Sequence, residues 1–423
     1  MFAKSVAVST IANLASPISV LLASSLVAQS FGPSGRGEVA AVNAIVVLAV
    51  AAASLGAPEA LTYFVARNGR ASRSPFLSPL LVTCFGGVLA TATTWLLAPL
   101  LSGNDSVLTT VIRLCSLAIL PSMIVAVVRG AAAGRHEWNR IAAEKILGAS
   151  VRIVGLIVPF LLGALSVPIA AVVLVSAPAI GGLFYLRPSR RQLAHHGVTA
   201  REFVAYSTTS WAGTVAGMLA ARLSQAIMLP LSDSYQLGLF AVAVNLAELM
   251  LISNQAFRDV AFAVDSSSND VQMLARASRI SGLVALITAV GIAITSPLVV
   301  PALFGTEFTE AIPLTIALSL GLVVGIPGSV AGMGLGARGR PGLRSYSLIA
   351  GLLVNVALIF ILVPVLGAWG AVTAAVVTSA VTSNLNLVHL RRAFGLGPGQ
   401  FIFPSRDDFA TLSRQAQRLL RRR

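Results

Sequence analysis

Residues 345–365 read SYSLIAGLLVNVALIFILVPV, twenty-one positions without one Asp, Glu, Lys or Arg. A helix rising about 1.5 Å per residue needs about 20 apolar residues to cross the roughly 30 Å hydrocarbon core of a bilayer. Working outward, runs of the same kind lie near 5–30, 39–66, 76–101, 106–128, 142–163, 166–186, 206–230, 237–257, 280–303, 311–335 and 370–390, which makes twelve. The composition agrees: 56% of the 423 residues are hydrophobic, only 11% are charged, and the mean hydropathy is +0.86. A soluble domain carries about 25% charged residues, so a soluble enzyme is excluded. The first run is too long for a secretory signal, and further spans follow it at once. The expected fold is an all-α integral membrane protein of about twelve transmembrane helices.

The 30 basic residues against 15 acidic ones would ordinarily raise the question of nucleic acid. Their placement answers it. Counting alternate connections, 26 Lys and Arg fall on one face, from Lys4 through Arg67, Arg129, Arg187, Arg276 and Arg338 to the eight arginines between Arg391 and Arg423. The opposite connections hold Arg36 with Glu38, Asp105, Asp233, Glu307 and Glu310. The positive-inside rule puts both termini in the cytoplasm, here of a bacterial cell membrane, and no nucleic-acid partner is needed. The connections are too short for an extra domain, which argues against a membrane-embedded sugar ligase with a large outer loop.

The chain also repeats. Gly37-Glu-Val-Ala-Ala41 resembles Gly238-Leu-Phe-Ala-Val242 at an offset of 201, and Pro99-Leu-Leu-Ser-Gly103 resembles Pro301-Ala-Leu-Phe-Gly305 at 202. A duplicated six-span unit gives two six-helix bundles of equal orientation, related by a pseudo-two-fold along the membrane normal. The expected organisation is an N-terminal bundle over 1–195, a C-terminal bundle over 196–395 and a cytoplasmic tail over 396–423. Such a pair encloses a cavity that can open to either side of the membrane.

Several motifs carry no chemistry. Gly334-Leu-Gly336-Ala-Arg-Gly339 has the dinucleotide spacing, but a span precedes it and no Asp or Glu occurs between Glu310 and Asp407. No Gly-Lys-Ser/Thr phosphate loop occurs. His136, His195, His196 and His389 read as solvated residues of cytoplasmic segments, and Cys84 and Cys115 as small apolar core residues. No metal, no cofactor and no enzymatic activity is expected.

Charges inside the apolar runs are the functional candidates, because each costs several kcal/mol unless it meets water or a partner. Arg152 and Arg222 lie about 12–15 Å deep in their spans, and Arg113 is a third cation. Arginine keeps its proton and grips phosphate bidentately, so these three suit an anionic, phosphate-bearing substrate. Arg222 could instead pair with Glu248, and Arg113 could snorkel outward. Glu59 and Glu248 are the candidates for a coupling proton. Asn43, Asn245 and Asn355 are expected to bridge helices. Beyond the last span, Ser405 and Asp408 form a capping pattern; Phe409, Leu412, Ala416, Leu419 and Leu420 then share a helical face beside Arg414 and Arg418. That basic amphipathic helix is suited to anionic lipids of the inner leaflet.

Gly339-Arg-Pro-Gly-Leu-Arg-Ser-Tyr, Gly351-Leu-Leu-Val-Asn355 and Leu362-Val-Pro-Val-Leu-Gly-Ala-Trp-Gly-Ala371 together resemble the carboxy-terminal signature of polysaccharide and oligosaccharide-lipid flippases. These belong to the multidrug/oligosaccharidyl-lipid/polysaccharide (MOP) exporter superfamily. Phe31-Gly-Pro-Ser-Gly-Arg-Gly37 is similar to the family's turn after the first span, which reads as a tight connection. Arg222 followed by Leu239 to Ala243 and Glu248 resembles its seventh and eighth spans, and Pro301 to Phe308 the end of its ninth. The resemblance implies transport of a polyprenyl-diphosphate-linked saccharide from inner to outer leaflet by alternating access. It also implies Arg222 and Arg152 for the diphosphate, hydroxyls and amides for the sugars, and a role beside other polysaccharide-assembly membrane proteins. The chain departs from the family at Gln225, where an acidic or polar residue is common nearby, which leaves ion coupling open. A multidrug cation antiporter of the same superfamily, a lipid II-type flippase and a membrane scaffold without transport remain as alternatives.

Overall fold

A computed structural model describes residues 2–67, 77–186, 200–268, 271–338 and 340–402. Among these residues there are fifteen α-helices, short 3-10 turns and no strand. In order they are α1 (Phe2–Ala53), α2 (Ala57–Arg67), α3 (Leu77–Leu101), α4 (Ser106–Ser116), α5 (Ile119–Gly134), α6 (Trp138–Leu161), α7 (Val167–Gly181) and α8 (Ala200–Leu231). There follow α9 (Ser234–Ser268), α10 (Val271–Phe304), α11 (Ala311–Leu322), α12 (Ile326–Ala337), α13 (Pro341–Leu366), α14 (Ala368–Phe394) and α15 (Gly399–Ile402).

Ten helical runs are long and apolar enough to cross a membrane. One of them, Ser16–Ala53, reverses at Gly32 and so crosses twice. The 24-residue α6 adds one more; Arg140, Glu144, Lys145 and Arg152 lower its hydropathy without shortening it. The described chain therefore holds twelve crossing segments, in the order expected. Their outer faces are those of a protein solvated by lipid: Leu96 and Leu298 are each 76% exposed and Val365 80%.

Three crossings are broken where hydropathy runs on unchanged. The second breaks at Ser54–Gly56, with Leu55 and Gly56 at positive φ. The helix end this creates is satisfied from α8, whose Trp211 Nε1 donates to the carbonyls of Ala51 (3.3 Å) and Ala52 (3.1 Å). The fourth breaks at Leu117–Ala118, and the tenth passes through a 3-10 turn at Val323–Gly325 just before Pro327. Other crossings end alike. In α3, α6, α10 and α13, Pro99, Pro159, Pro301 and Pro364 precede a positive-φ glycine, namely Gly103, Gly163, Gly305 and Gly367. Pro159 and Pro364 are 205 positions apart, close to the 202 that separate Pro99 and Pro301.

Packing divides the chain into two compact units, Met1–Gly238 and Leu239–Arg423. The seventh crossing, α8, packs in the first unit, so this boundary lies later than the 195/196 division expected from duplication; one describes contact and the other descent. In the first unit α1 packs on α6, α7 and α8, and α2 on α5. Val42, Ile45, Leu108, Ile112, Met123 and Val175 form its main core. In the second unit α14 packs on α13 and α12, and α10 on α11 and α12. The face that the end of α11, the following turn and α12 show to α14 is glycine: a Cβ on Gly321, Gly325 or Gly328 would overlap Val376, Ser379 or Ser383. The close approach lets Ser383 Oγ accept from the Gly328 amide and Asn386 Nδ2 donate to the Gly328 carbonyl, both at 3.0 Å. Asn355, expected to bridge helices, is fully buried, and neither side-chain atom meets a hydrogen-bond partner among the described residues. Asn386 does the bridging.

Candidate functional site

The first crossing ends at Gly32, whose φ of 63° and ψ of −168° are closed to most side chains, and Pro33 starts the second with its φ already helical. The reversal folds the beginning of the second crossing back against the first. Arg36, one turn past Pro33, is thereby 8% exposed, and its Nε donates to Ser24 Oγ of the first crossing at 2.9 Å. From the other side α6 presents Arg152, whose Nη1 donates to Ser19 Oγ at 2.7 Å. Two guanidiniums from different crossings are thus held on one helix by neutral serine hydroxyls.

Arg222 lies half-buried on α8, nine residues before its end at Leu231. Its Nη1 donates to the buried Gln225 Oε1 at 3.3 Å, so Gln225 serves as an acceptor for the cation. The charge of Arg222 acts on Arg36, and that of Asp105 on Glu38. Arg36 makes no ion pair with a carboxylate among the described residues. Arg36 of α1 and Arg152 of α6 thus each donate to a serine of the first crossing, Arg222 of α8 donates to Gln225, and Arg113 lies elsewhere. Arg113, on α4, lies 5.6 Å over the Trp95 ring of α3 with Nε 3.4 Å from the Trp95 carbonyl.

Arg36 is the residue that sequence reasoning missed. Its position in a Gly-Pro-Ser-Gly turn, two residues from Glu38, reads as a solvated connection. Its burial follows from the reversal at Gly32, which no local pattern around Arg36 expresses.

The acidic candidates are placed differently. Glu59 is exposed in the first turn of α2. Pro33–Ala53 already covers about 31 Å, so Glu59 stands near the far end of its crossing and not midway. Glu248 is half-buried on α9 in the second unit. The carboxylate most fully buried is Glu144 of α6, 3% exposed, and it is neutralised: Arg129 grips it at 2.7 and 2.9 Å and Tyr185 Oη donates to it at 3.3 Å. His389 corrects the expectation of solvated histidines, since it belongs to α14, lies 3.1 Å from Ser347 Oγ and sits edge-on to Tyr346. His195, His196 and the basic tail from Ser405 to Arg423 lie outside the described residues. Among the described residues no three His, Cys, Asp or Glu side chains are grouped to hold a metal. Guanidiniums seated on hydroxyls in apolar surroundings offer anion binding, with charge-assisted hydrogen bonds that strengthen where water is excluded.

Among solved structures the fold has close parallels. An inward-facing multidrug resistance MATE family transporter of the MOP superfamily superposes with TM-score 0.73 at 16% identity, covering 91% of this chain and 98% of its own. The lipid II flippase MurJ in its inward closed conformation gives 0.69 at 13% identity, with 90% and 87% covered. A MOP superfamily transporter from Pyrococcus furiosus Vc1, described as having a binding pocket of reversed polarity, gives 0.61 at 18%, with 92% and 93% covered. No curated protein matches the chain significantly. Residues 2–262, well over half of the sequence, match the family described as polysaccharide biosynthesis protein, and the chain, a multi-pass membrane protein, belongs to that family.

Proposed function

We propose that this protein moves a polyprenyl-diphosphate-linked oligosaccharide, a precursor of cell-surface polysaccharide, from the inner to the outer leaflet of a bacterial cytoplasmic membrane by alternating access. The observation that carries the reading is the pair of guanidiniums seated on α1 serines and not on carboxylates. A buried cation held only by a hydroxyl is expensive, and a phosphate-bearing headgroup repays that cost. Arg152 and Arg222 engage the diphosphate; Arg113, stacked on Trp95, contributes least. Glu59 and Glu248 are the positions where a coupling proton would act. The Lys and Arg asymmetry of the connections supports cytoplasmic termini, with the basic tail on anionic lipid and other polysaccharide-assembly proteins nearby.

A multidrug cation antiporter would need uncompensated carboxylates where this chain has arginines, and a lipid II-type flippase would share the phosphate chemistry but differ in glycan. The test is the leaflet distribution of lipid-linked saccharide after depletion of the protein. Accumulation on the cytoplasmic leaflet with loss of surface polysaccharide is expected. Unchanged glycan lipid together with lost efflux of organic cations would move the assignment to the antiporter, and accumulation of lipid II alone to the other flippase.

A further inference from the structure

We propose that Asn355 of α13 and Thr378 of α14 hold a buried water molecule between them near the middle of the membrane, and that this water ties the last two crossings together. The proposal rests on the fold and on no assumption about the transported molecule. Asn355 is fully buried and Thr378 is 6% exposed. The nitrogen and oxygen of the Asn355 amide and the Thr378 hydroxyl meet no hydrogen-bond partner among the described residues. A helical threonine ordinarily bonds the carbonyl four residues back, as Thr373 does with Trp369, and Thr378 does not.

Register brings the two side chains to one level. α13 and α14 form a helical hairpin about Gly367, whose φ of 55° turns the chain. Asn355 lies twelve residues before Gly367 and Thr378 eleven after it. Both therefore stand about 17 Å from the turn, half-way across a roughly 30 Å hydrocarbon core. The faces agree as well. A Cβ on Gly351 would overlap the Thr382 hydroxyl and lie 3.7 Å from the Thr378 methyl. One turn closer to Gly367, Asn355 continues the Gly351 face of α13, and Thr378 continues the Thr382 face of α14.

The donor set selects the occupant. At this depth lipid offers neither donors nor acceptors, so each orphaned group costs free energy until a partner reaches it. The amide presents a donor and an acceptor side by side, and the hydroxyl can act as either. A cation would answer the oxygens and leave the Nδ2 hydrogens unpaired, and neither α13 nor α14 carries a carboxylate to balance its charge. A water molecule accepts from Asn355 Nδ2 and donates to Asn355 Oδ1 and to Thr378 Oγ1. Three bonds are the usual number for a buried water.

The test is water-edited solid-state NMR of the full chain, nitrogen-labelled at asparagine, in phosphatidylcholine bilayers. The Asn355 side-chain amide, identified as the signal lost in Asn355→Leu, is expected to receive magnetisation from water, as the exposed Asn104 does. Thr378→Val is expected to weaken that transfer, and Thr373→Val, on the exposed side of α14, to leave it unchanged. In thermal unfolding Asn355→Leu and Thr378→Val should each lower Tm by about 3 °C. The double variant should lose no more than the larger single, because all three changes release the same water. Should Asn355→Leu fail to fold, Asn355→Ser serves for the assignment and Thr378→Val for the thermal reading. Absence of transfer in wild type, a rise in Tm on Asn355→Leu, or losses that add in the double variant overturn the proposal. So does a gain in wild-type Tm when sodium chloride replaces choline chloride that both variants lose, which would assign the oxygens to a cation.

Discussion

Arg129 and Glu144 show what a settled charge looks like in this protein, against which the unsettled ones are read. The carboxylate is 3% exposed and receives a two-pronged grip from Arg129 with a third donor in Tyr185. Arg129→Met leaves that carboxylate buried without its cation and should cost about 3 kcal/mol, seen as a clear fall in Tm in detergent. The double change Arg129→Met with Glu144→Met should recover most of the loss; equal destabilisation by single and double variants would sink the argument. Arg152 should behave in the opposite way. Its partner is one serine hydroxyl, so Arg152→Gln should leave Tm unchanged or higher while transport of lipid-linked saccharide falls tenfold or more, on the order of one charged hydrogen bond to phosphate. Retained transport would remove Arg152 from the site. Arg152 and Arg222 could be picked out in the sequence because a charge amid apolar residues announces its cost. Arg36 could not, since its burial comes from the Gly32 reversal, which no local pattern around it expresses.

At the scale of elements, the twelve crossings were readable because hydropathy depends on lipid, and lipid imposes one length on all of them. Their interruptions were not readable: the breaks at Ser54–Gly56 and Val323–Gly325 sit inside apolar sequence and are satisfied by partners distant in the chain, such as Trp211. The Gly37 and Gly238 match, noticed as a trace of duplication, proves also to be a contact. A Cβ on Gly37 would overlap the Ser234 carbonyl oxygen, and one on Gly238 the Pro33 carbonyl oxygen, so α1 and the start of α9 cross backbone to backbone. Gly238→Ala must push the helices apart and should cost about 1–3 kcal/mol in thermal unfolding. Gly291→Ala, with nothing within 4 Å of the added carbon, should be neutral or slightly stabilising. Comparable losses from the two would mean that helix propensity, and not the crossing, sets the effect. On α14, Ser383→Ala removes the acceptor for the Gly328 amide and should cost about 0.6 kcal/mol, the usual worth of an interhelical hydrogen bond in a membrane.

For the molecule as a whole, the proposed direction of transport depends on orientation, and the expectation of cytoplasmic termini rests on where Lys and Arg fall in the sequence. The sequence reading assigns twenty-six Lys and Arg to one side, and the turns at Gly32, Gly103, Gly163, Gly305 and Gly367 to the connections of the other. These turns are short because a proline and a positive-φ glycine stop a helix within one turn, leaving little room for cations on that face. The two observations are independent, one electrostatic and one steric, and they sort the connections identically. Replacing Cys84 and Cys115 by Ala gives a thiol-free background in which single cysteines report sidedness. Asn104→Cys, in the exposed turn between α3 and α4, should react with a membrane-impermeant maleimide in intact cells. Arg340→Cys, exposed before α13, should react only after permeabilisation. The reverse pattern would place the cationic connections outside and the Gly32 end of α1 on the cytoplasmic side. The proposed direction of flipping therefore turns on this labelling.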